Sequence, residues 1–278
     1  MLESIERGPQ SFVRRYSERV LEHREYCERV PRRELGAEID ALWSLDSAGG
    51  AREQIIVPDG CVDVIFDLGG SRPHAFVVGT MTRAERVASD QPMHLVAVRF
   101  KPGVAAGWLG LPLEELTDRE LDLAQVWPDS HRLVERLVRA PDAARALELA
   151  LVERLAFRTA PDPWLRAVVR EVCAVAPARG LDALAREFGA TRQHLTRRFR
   201  REVGIGPKML ARVARMRRAL AAVESAPRAP LAEIALACGY VDQAHLSNEL
   251  RALTGHSPRE LRELGSKSPS PSVLGVLP

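Results

Sequence analysis

Between Thr191 and Val203 the chain reads TRQHLTRRFRREV, a segment crowded with arginine in which Glu202 is the lone carboxylate. On a helix advancing 100° per residue, Leu195 and Phe199 form an inward stripe one turn apart. The opposite face then carries Gln193, Arg197 and Arg200, with Arg192, Thr196 and Arg201 beside them. A guanidinium fork can bond a guanine edge through two hydrogen bonds, glutamine can read adenine, and neighbouring arginines can neutralise phosphates. An ordinary solvated face usually pairs such arginines with carboxylates. Their near absence here favours contact with DNA.

The elements around this segment occur twice. Leu181, Leu184, Ala185, Phe188 and Gly189 share their spacing with Leu231, Ile234, Ala235, Cys238 and Gly239, each pair offset by 50 positions. In the first unit LDALAREFG makes a short helix, Gly189 supplies a turn that needs positive φ, and Thr191 caps the next helix. Helix, tight turn and helix is the helix-turn-helix arrangement. In the second unit Asp242 caps DQAHLSNELRALTG, Leu246 and Leu250 point inward, and Gln243, Ala244, Ser247, Asn248 and Arg251 point outward. That face is polar but much less basic, so the first unit is expected to supply most of the affinity.

Between the units, GIGPKMLARVARMRRALAAVES opens with Pro207 at a favoured first position and lines up Val213, Met216, Leu220 and Val223. One long linker helix is predicted, holding the two reading helices at a fixed separation so that both can face successive major grooves. Ser257, Pro258 and Glu260 spell the cap, first-position proline and capping-box acid of a final short helix.

The N-terminal half has a different texture. Gln54 to Val57, Cys61 to Leu68, Ala75 to Val78 and Met93 to Phe100 are short runs rich in β-branched residues, separated by turn formers. After Pro102 the period becomes helical through GVAAGWLGL, SHRLVERLVRA and DAARALELALVERLAF. The expected fold is α+β: a small antiparallel β-barrel or sandwich with covering helices, then an all-α double helix-turn-helix domain. The chain divides into a charged, weakly helical segment (1–35), a β-rich domain with helices (36–160), the DNA-binding domain (161–264) and a Ser/Pro-rich disordered tail (265–278). The boundary falls at TAPDP, residues 159–163.

Asp59, Cys61, Asp63, Asp67, His74 and His94 are the other candidates for chemistry. A divalent ion needs three or four converging ligands, and no HxH or HxxxH pair is present, so no metal is expected. Asp59 and Gly60 after Pro58 suit a turn, and Asp63 and Asp67 alternate with apolar neighbours as on a half-exposed strand. The cysteines, Cys27, Cys61, Cys173 and Cys238, form no CxxC pair and are taken as buried free thiols. Trp43, Phe100 and Trp108 are taken as core. With 46% hydrophobic and 28% charged residues and a net charge of +3, the composition is that of a globular protein and does not by itself argue for nucleic acid. No stretch is apolar and long enough to span a bilayer, nor does the N-terminus resemble a signal peptide, so a cytoplasmic location is expected.

From Trp164 to Leu264 the residues resemble the DNA-binding domain of the AraC/XylS family of bacterial transcription regulators. The resemblance lies in LAREFGATRQHLTRRFRREVGIGPKMLARVARMRRAL followed by IALACGYVDQAHLSNELRALTGHSPRELR. It implies that helices 191–203 and 242–254 enter adjacent major grooves of double-stranded promoter DNA. Asn248, Glu249 and Leu250 stand where the family tends to have a basic, a variable and a phenylalanine residue. VPDGCVDVIFDL, VVGTMTR and VRFKPG resemble an uncharacterised domain that precedes this module in many such regulators. The resemblance implies a sensor of a small-molecule effector or a homodimerisation domain, with RNA polymerase as a further partner, no cofactor and no enzymatic activity.

Overall fold

The computed structural model describes residues 24–47, 54–87, 91–174, 180–265 and 273–276. The expected runs emerge as strands β3 (Gln54–Ile56), β4 (Val62–Asp67), β5 (His74–Val78) and β7 (Met93–Phe100), joined by β1 (Arg24–Arg29), β2 (Ile39–Ser47), β6 (Glu85–Val87), β8 (Glu120–Asp122) and β9 (Val273–Val276). They pair antiparallel in a six-stranded sheet of order β1-β2-β7-β4-β5-β8 and a three-stranded sheet of order β6-β3-β9. The sheets do not close into a barrel.

Both faces of the large sheet are covered, which is why β7 is apolar at nearly every position instead of alternating. One face, with Leu42, Val64, Phe66, Val98 and Phe100, packs under helices α1 (Ala105–Leu109), α2 (Ser130–Arg139) and α3 (Ala143–Arg154) through Trp108, Trp127, Leu137, Leu147 and Leu151. The other presents Trp43, Leu45, Ile65, Phe76, Leu95 and Ala97. Phe100 and Trp108 are core, as expected, with ring centroids 5.3 Å apart.

Several expectations from the sequence give way in the structure. Part of the segment given a helical period, Arg24–Arg29, is an edge strand on β2, while residues 1–23 lie outside the described region. Of the four cysteines expected to be buried, Cys27 on that strand is exposed and Cys173 is half-buried. In the tail expected to be disordered, Val273–Val276 pairs with β3. Backbone pairing supplies the order that composition does not announce; residues 266–272 and 277–278 lie outside the described region.

From Pro163 to Gly265 the described elements are helices: α4 (Pro163–Val172), α5 (Leu181–Glu187), α6 (Arg192–Val203), α7 (Pro207–Ser225), α8 (Leu231–Ala237), α9 (Gln243–Thr254) and α10 (Pro258–Gly265). Two cores lie along α7. Leu165, Val168, Leu195, Phe199 and Leu210 form the first, and Met216, Leu220, Val223, Ile234, Leu246 and Leu250 the second. Ile55 and Val57 from the β3 region belong to the second as well, so the N-terminal half helps to build the helical half.

Glu38 is the polar anchor beneath α1. It is 4% exposed, pairs with both Nε and Nη2 of Arg158, and accepts from Trp108 Nε1 at 2.8 Å. Removing one partner of a buried pair leaves the other charge uncompensated, so Glu38→Ala should lower stability by about 3–5 kcal/mol. Urea unfolding checks this, and a loss below about 1 kcal/mol, the scale of an exposed pair, would contradict it.

Candidate nucleic-acid interface

Each helix-turn-helix unit is set by local signals. Gly189 and Gly239 take φ of 65° and 83°, which a side chain with Cβ rarely adopts. Thr191 Oγ1 accepts from His194 N at 3.1 Å, and Asp242 Oδ1 from His245 N at 2.7 Å, capping the second helix of each unit. Leu195, Phe199 and Val203 bury one side of α6, and Leu246, Leu250 and Leu253 one side of α9.

The first unit is further clamped by α4. Trp164 Nε1 donates to the carbonyl of Phe188 in the turn at 2.8 Å, and Arg198 Nη2 donates to Asp162 Oδ2 at 2.7 Å. Partial burial works against the Asp162 carboxylate. The backbone N–H of Trp164 and the Arg198 guanidinium outweigh that and hold its pKa below the ordinary value. Arg198 is thus the arginine of α6 turned inward, and it is the one that the helical projection leaves off the reading face.

The reading face is open. Arg192, Gln193, Arg197, Arg200 and Arg201 are exposed, with Thr196 half-buried among them. Arg192, Gln193, Thr196, Arg197 and Arg200 line one solvent-open recess; Arg201 stands outside it, exposed, 3.9 Å from Glu202. Arg192 approaches Asp182 at 3.6 Å, whereas Arg197 and Arg200 have no carboxylate partner among the described residues. The Thr196 hydroxyl donates to the Arg192 carbonyl at 2.8 Å.

In the second unit Gln243, Ala244, Asn248 and Arg251 are exposed and Ser247 is half-buried, its hydroxyl donating to the Gln243 carbonyl at 2.8 Å. The decisive residue there is Glu249, which the sequence marks only as standing at a variable position. It is 8% exposed and accepts from Arg212 Nε at 3.2 Å and Arg215 Nη2 at 2.8 Å, tying α9 to α7. Arg215 also lies 4.8 Å over the Tyr240 ring. These long-range partners leave no local signal beyond a glutamate on the wrong side of a helix.

The N-terminal half touches the reading helix at its carboxyl end. The last carbonyls of a helix have no partner within it. Thr80 Oγ1 donates to the Val203 carbonyl and Thr117 Oγ1 to the Gly204 carbonyl, each at 2.6 Å. Gly204, at φ 89°, is wedged so that a Cβ would meet Thr80 Oγ1 at 3.0 Å and the Leu113 carbonyl at 3.2 Å. The adjoining 3-10 turn Leu113–Leu116 presents Glu114, exposed, to the same recess as Arg197 and Arg200.

The remaining candidates separate. Asp59 accepts from Cys61 N at 2.8 Å, as a turn residue does. Asp63, expected on a half-exposed strand, instead points into a cavity between the sheets, where Trp43 Nε1 donates to it at 2.8 Å and Arg99 Nε lies 3.4 Å away. Alternation alone cannot tell an exposed face from one roofed by a distant strand. Trp43 likewise lines the cavity in addition to packing in the core. Cys61 is buried, and burial followed by the Asp59 charge pushes its thiol pKa well up. Asp67 accepts from Gly69 N, His94 pairs with Asp46, and His74 stacks on Phe76. No three His, Cys, Asp or Glu side chains are grouped to hold a metal ion, and no helix is long and apolar enough to cross a membrane, among the described residues.

Residues 184–264 match the helix-turn-helix domain family, and residues 28–122 match a domain of unknown function (DUF6597). The latter ends with β8. The fold and these matches define a two-part helix-turn-helix DNA-binding protein. The uncharacterised domain precedes the helix-turn-helix one in the chain. No curated protein matches the chain. Solved structures similar to it include the C-terminal domain of AraT, a response regulator from Geobacillus stearothermophilus, at 25% identity, covering 37% of this chain and 85% of that one, with a TM-score of 0.35. A transcriptional regulator from Chromobacterium violaceum with an AraC-type DNA-binding domain is 27% identical, covering 37% and 93%, with a TM-score of 0.35. ToxT from Vibrio cholerae, with an unsaturated fatty acid bound, is 10% identical over 86% and 94%, with a TM-score of 0.39.

Glu114 places a negative charge in the recess lined by Arg197 and Arg200. Glu114→Gln should tighten DNA binding by the worth of an exposed charge contact, about 0.2–1 kcal/mol or up to roughly fivefold. Titration by fluorescence anisotropy at fixed salt measures this; weaker binding by the variant would show that the glutamate helps the complex.

Proposed function

We propose that the chain binds promoter DNA sequence-specifically, with α6 in one major groove and α9 in the next. Arg192, Gln193, Thr196, Arg197, Arg200 and Arg201 form the main contact; Gln243, Ala244, Ser247, Asn248 and Arg251 form a weaker one. The observation that carries the proposal is the exposure of Arg197 and Arg200 without a carboxylate partner among the described residues. Supporting it, α7 has 19 residues, a rod about 28 Å long that can hold two reading helices at a set separation.

The division at 36–160 and 161–264 belongs to the same reading. The core under the large sheet runs to Leu151, and the first core of the helical half begins at Leu165. The N-terminal domain then acts as a sensor of a small molecule or as a dimerisation unit, RNA polymerase is a partner at the promoter, the protein works in the cytoplasm, and no catalytic step is assigned to it.

The test uses fragments selected from genomic DNA by the full chain. Arg197→Ala should cost about 1–3 kcal/mol and relax preference at one base position. Arg200→Ala should instead weaken all sequences alike and reduce the slope of log affinity against log salt by about one. Unchanged affinity in both variants would remove this face from the interface.

A further inference from the structure

The connection between β5 and β6, residues 79–84, touches the ends of both reading helices. On one side Thr80, fully buried, donates through Oγ1 to the Val203 carbonyl at the end of α6, at 2.6 Å. On the other, Ala84 N donates to the Leu253 carbonyl in the last turn of α9, at 2.8 Å. The last carbonyls of a helix have no partner within it, so each bond holds a group that the helix itself leaves open.

Between these two bonds the segment is braced by residues 117–119. Gly79 N donates to the Arg119 carbonyl at 3.0 Å, and Asp118 N to the Thr80 carbonyl at 3.1 Å. The Asp118 carboxylate accepts from Thr82 N at 2.6 Å and from Thr82 Oγ1 at 2.5 Å. Thr117, next to it, holds the Gly204 carbonyl. Asp118 has a φ of 54°, and it is the one residue other than glycine with a positive φ among the described residues. Such a conformation is disfavoured for a side chain with Cβ and persists where the surroundings over-determine it. Gly79 runs so close to the 3-10 turn that a Cβ would meet the Leu116 carbonyl oxygen at 1.9 Å. The glycine and both threonines of VVGTMTR, residues 77–83, thus each serve this junction.

We propose that residues 79–84 form a bracket fixing the separation and rotation of α6 relative to α9, with Thr80 and Asp118 as its positioning residues. The N-terminal half then sets which spacing of the two DNA segments is accepted. This rests on the two-groove binding proposed for the chain, and adds a determinant of specificity outside the helical half. The helix α7 joins the two units by one rod, which fixes their distance and resists their rolling only through side-chain packing. The bracket is a second link, and two links close a frame. It has little slack: fully extended, the stretch from Thr80 to Ala84 reaches at most about 14 Å. Its α9 end rests on more than one bond, because Ala84 packs against the second helical core beside Ile55 and Val57.

The test uses the full chain and its selected DNA, rebuilt with one base pair inserted or removed between the two footprinted segments. Each such change moves one segment by about 3.4 Å along the duplex and about 35° around it. Linked modules lose their joint advantage when geometry forbids simultaneous engagement. The altered sites should therefore bind the wild-type chain about tenfold or more weakly, and Asp118→Gly only about threefold or less, against a usual coupling range of about 5- to 150-fold. Glycine keeps the positive φ and removes both acceptors from Thr82. Asp118→Asn, which keeps one acceptor and tolerates the same φ, should restore most of the wild-type discrimination. A merely structural loss would weaken every spacing alike and leave the ratio unmoved. Should Asp118→Gly fail to fold, Thr80→Val, which removes the hydroxyl at the α6 end, is measured in the same way. Equal spacing penalties in wild type and variant, or a wild-type chain indifferent to spacing, overturn the bracket alone. A wild-type chain that binds no genomic DNA sinks the two-groove reading, and the bracket with it.

Discussion

The structure hinges on how the carboxyl end of α6 is finished. A helix whose outer face is left open has only its inner face and its ends with which to be held. Here Thr80 and Thr117, from the N-terminal half, donate to the carbonyls of Val203 and Gly204, and a Cβ on Gly204 would crowd Thr80 and the Leu113 carbonyl. Helix α6 is thereby oriented by the domain that precedes it as much as by its own helix-turn-helix partner. Leu165, Phe199 and Leu210 complete the seat in a shared core.

The second unit is held by different physics. Its reading face has few charges, and its fixity comes from Glu249, which gathers Arg212 and Arg215 from α7 at low exposure. Arginines that a charge count would assign to DNA are here internal struts. The two units are therefore unequal twins: one offers its guanidinium groups outward, the other turns those of α7 onto its own helix.

The helical half was legible because its signals are local. Caps at Thr191 and Asp242, turns at Gly189 and Gly239, and the stripe on α7 each reach over only a few residues, and each appears where the spacing put it. The four main β-branched strands were legible for the same reason. What escaped depends on partners far along the chain. The strand β2, IDALWSLDS, is poor in β-branched residues and is ordered by pairing with β7; β9 exists only against β3. Asp63 obeys the alternation of its strand, yet its side faces a roof built from residues some twenty positions on. Glu249 and Arg198 likewise take meaning from partners on other helices.

The small sheet joins β3 and β6 to β9, almost the first and the very last strands in the described chain. Loop-closure entropy makes such a distant pairing late. During synthesis, β3 and β6 leave the ribosome long before their third member exists, and domains formed earlier must wait with that edge open. The small sheet is thus completed only once β9 has been made.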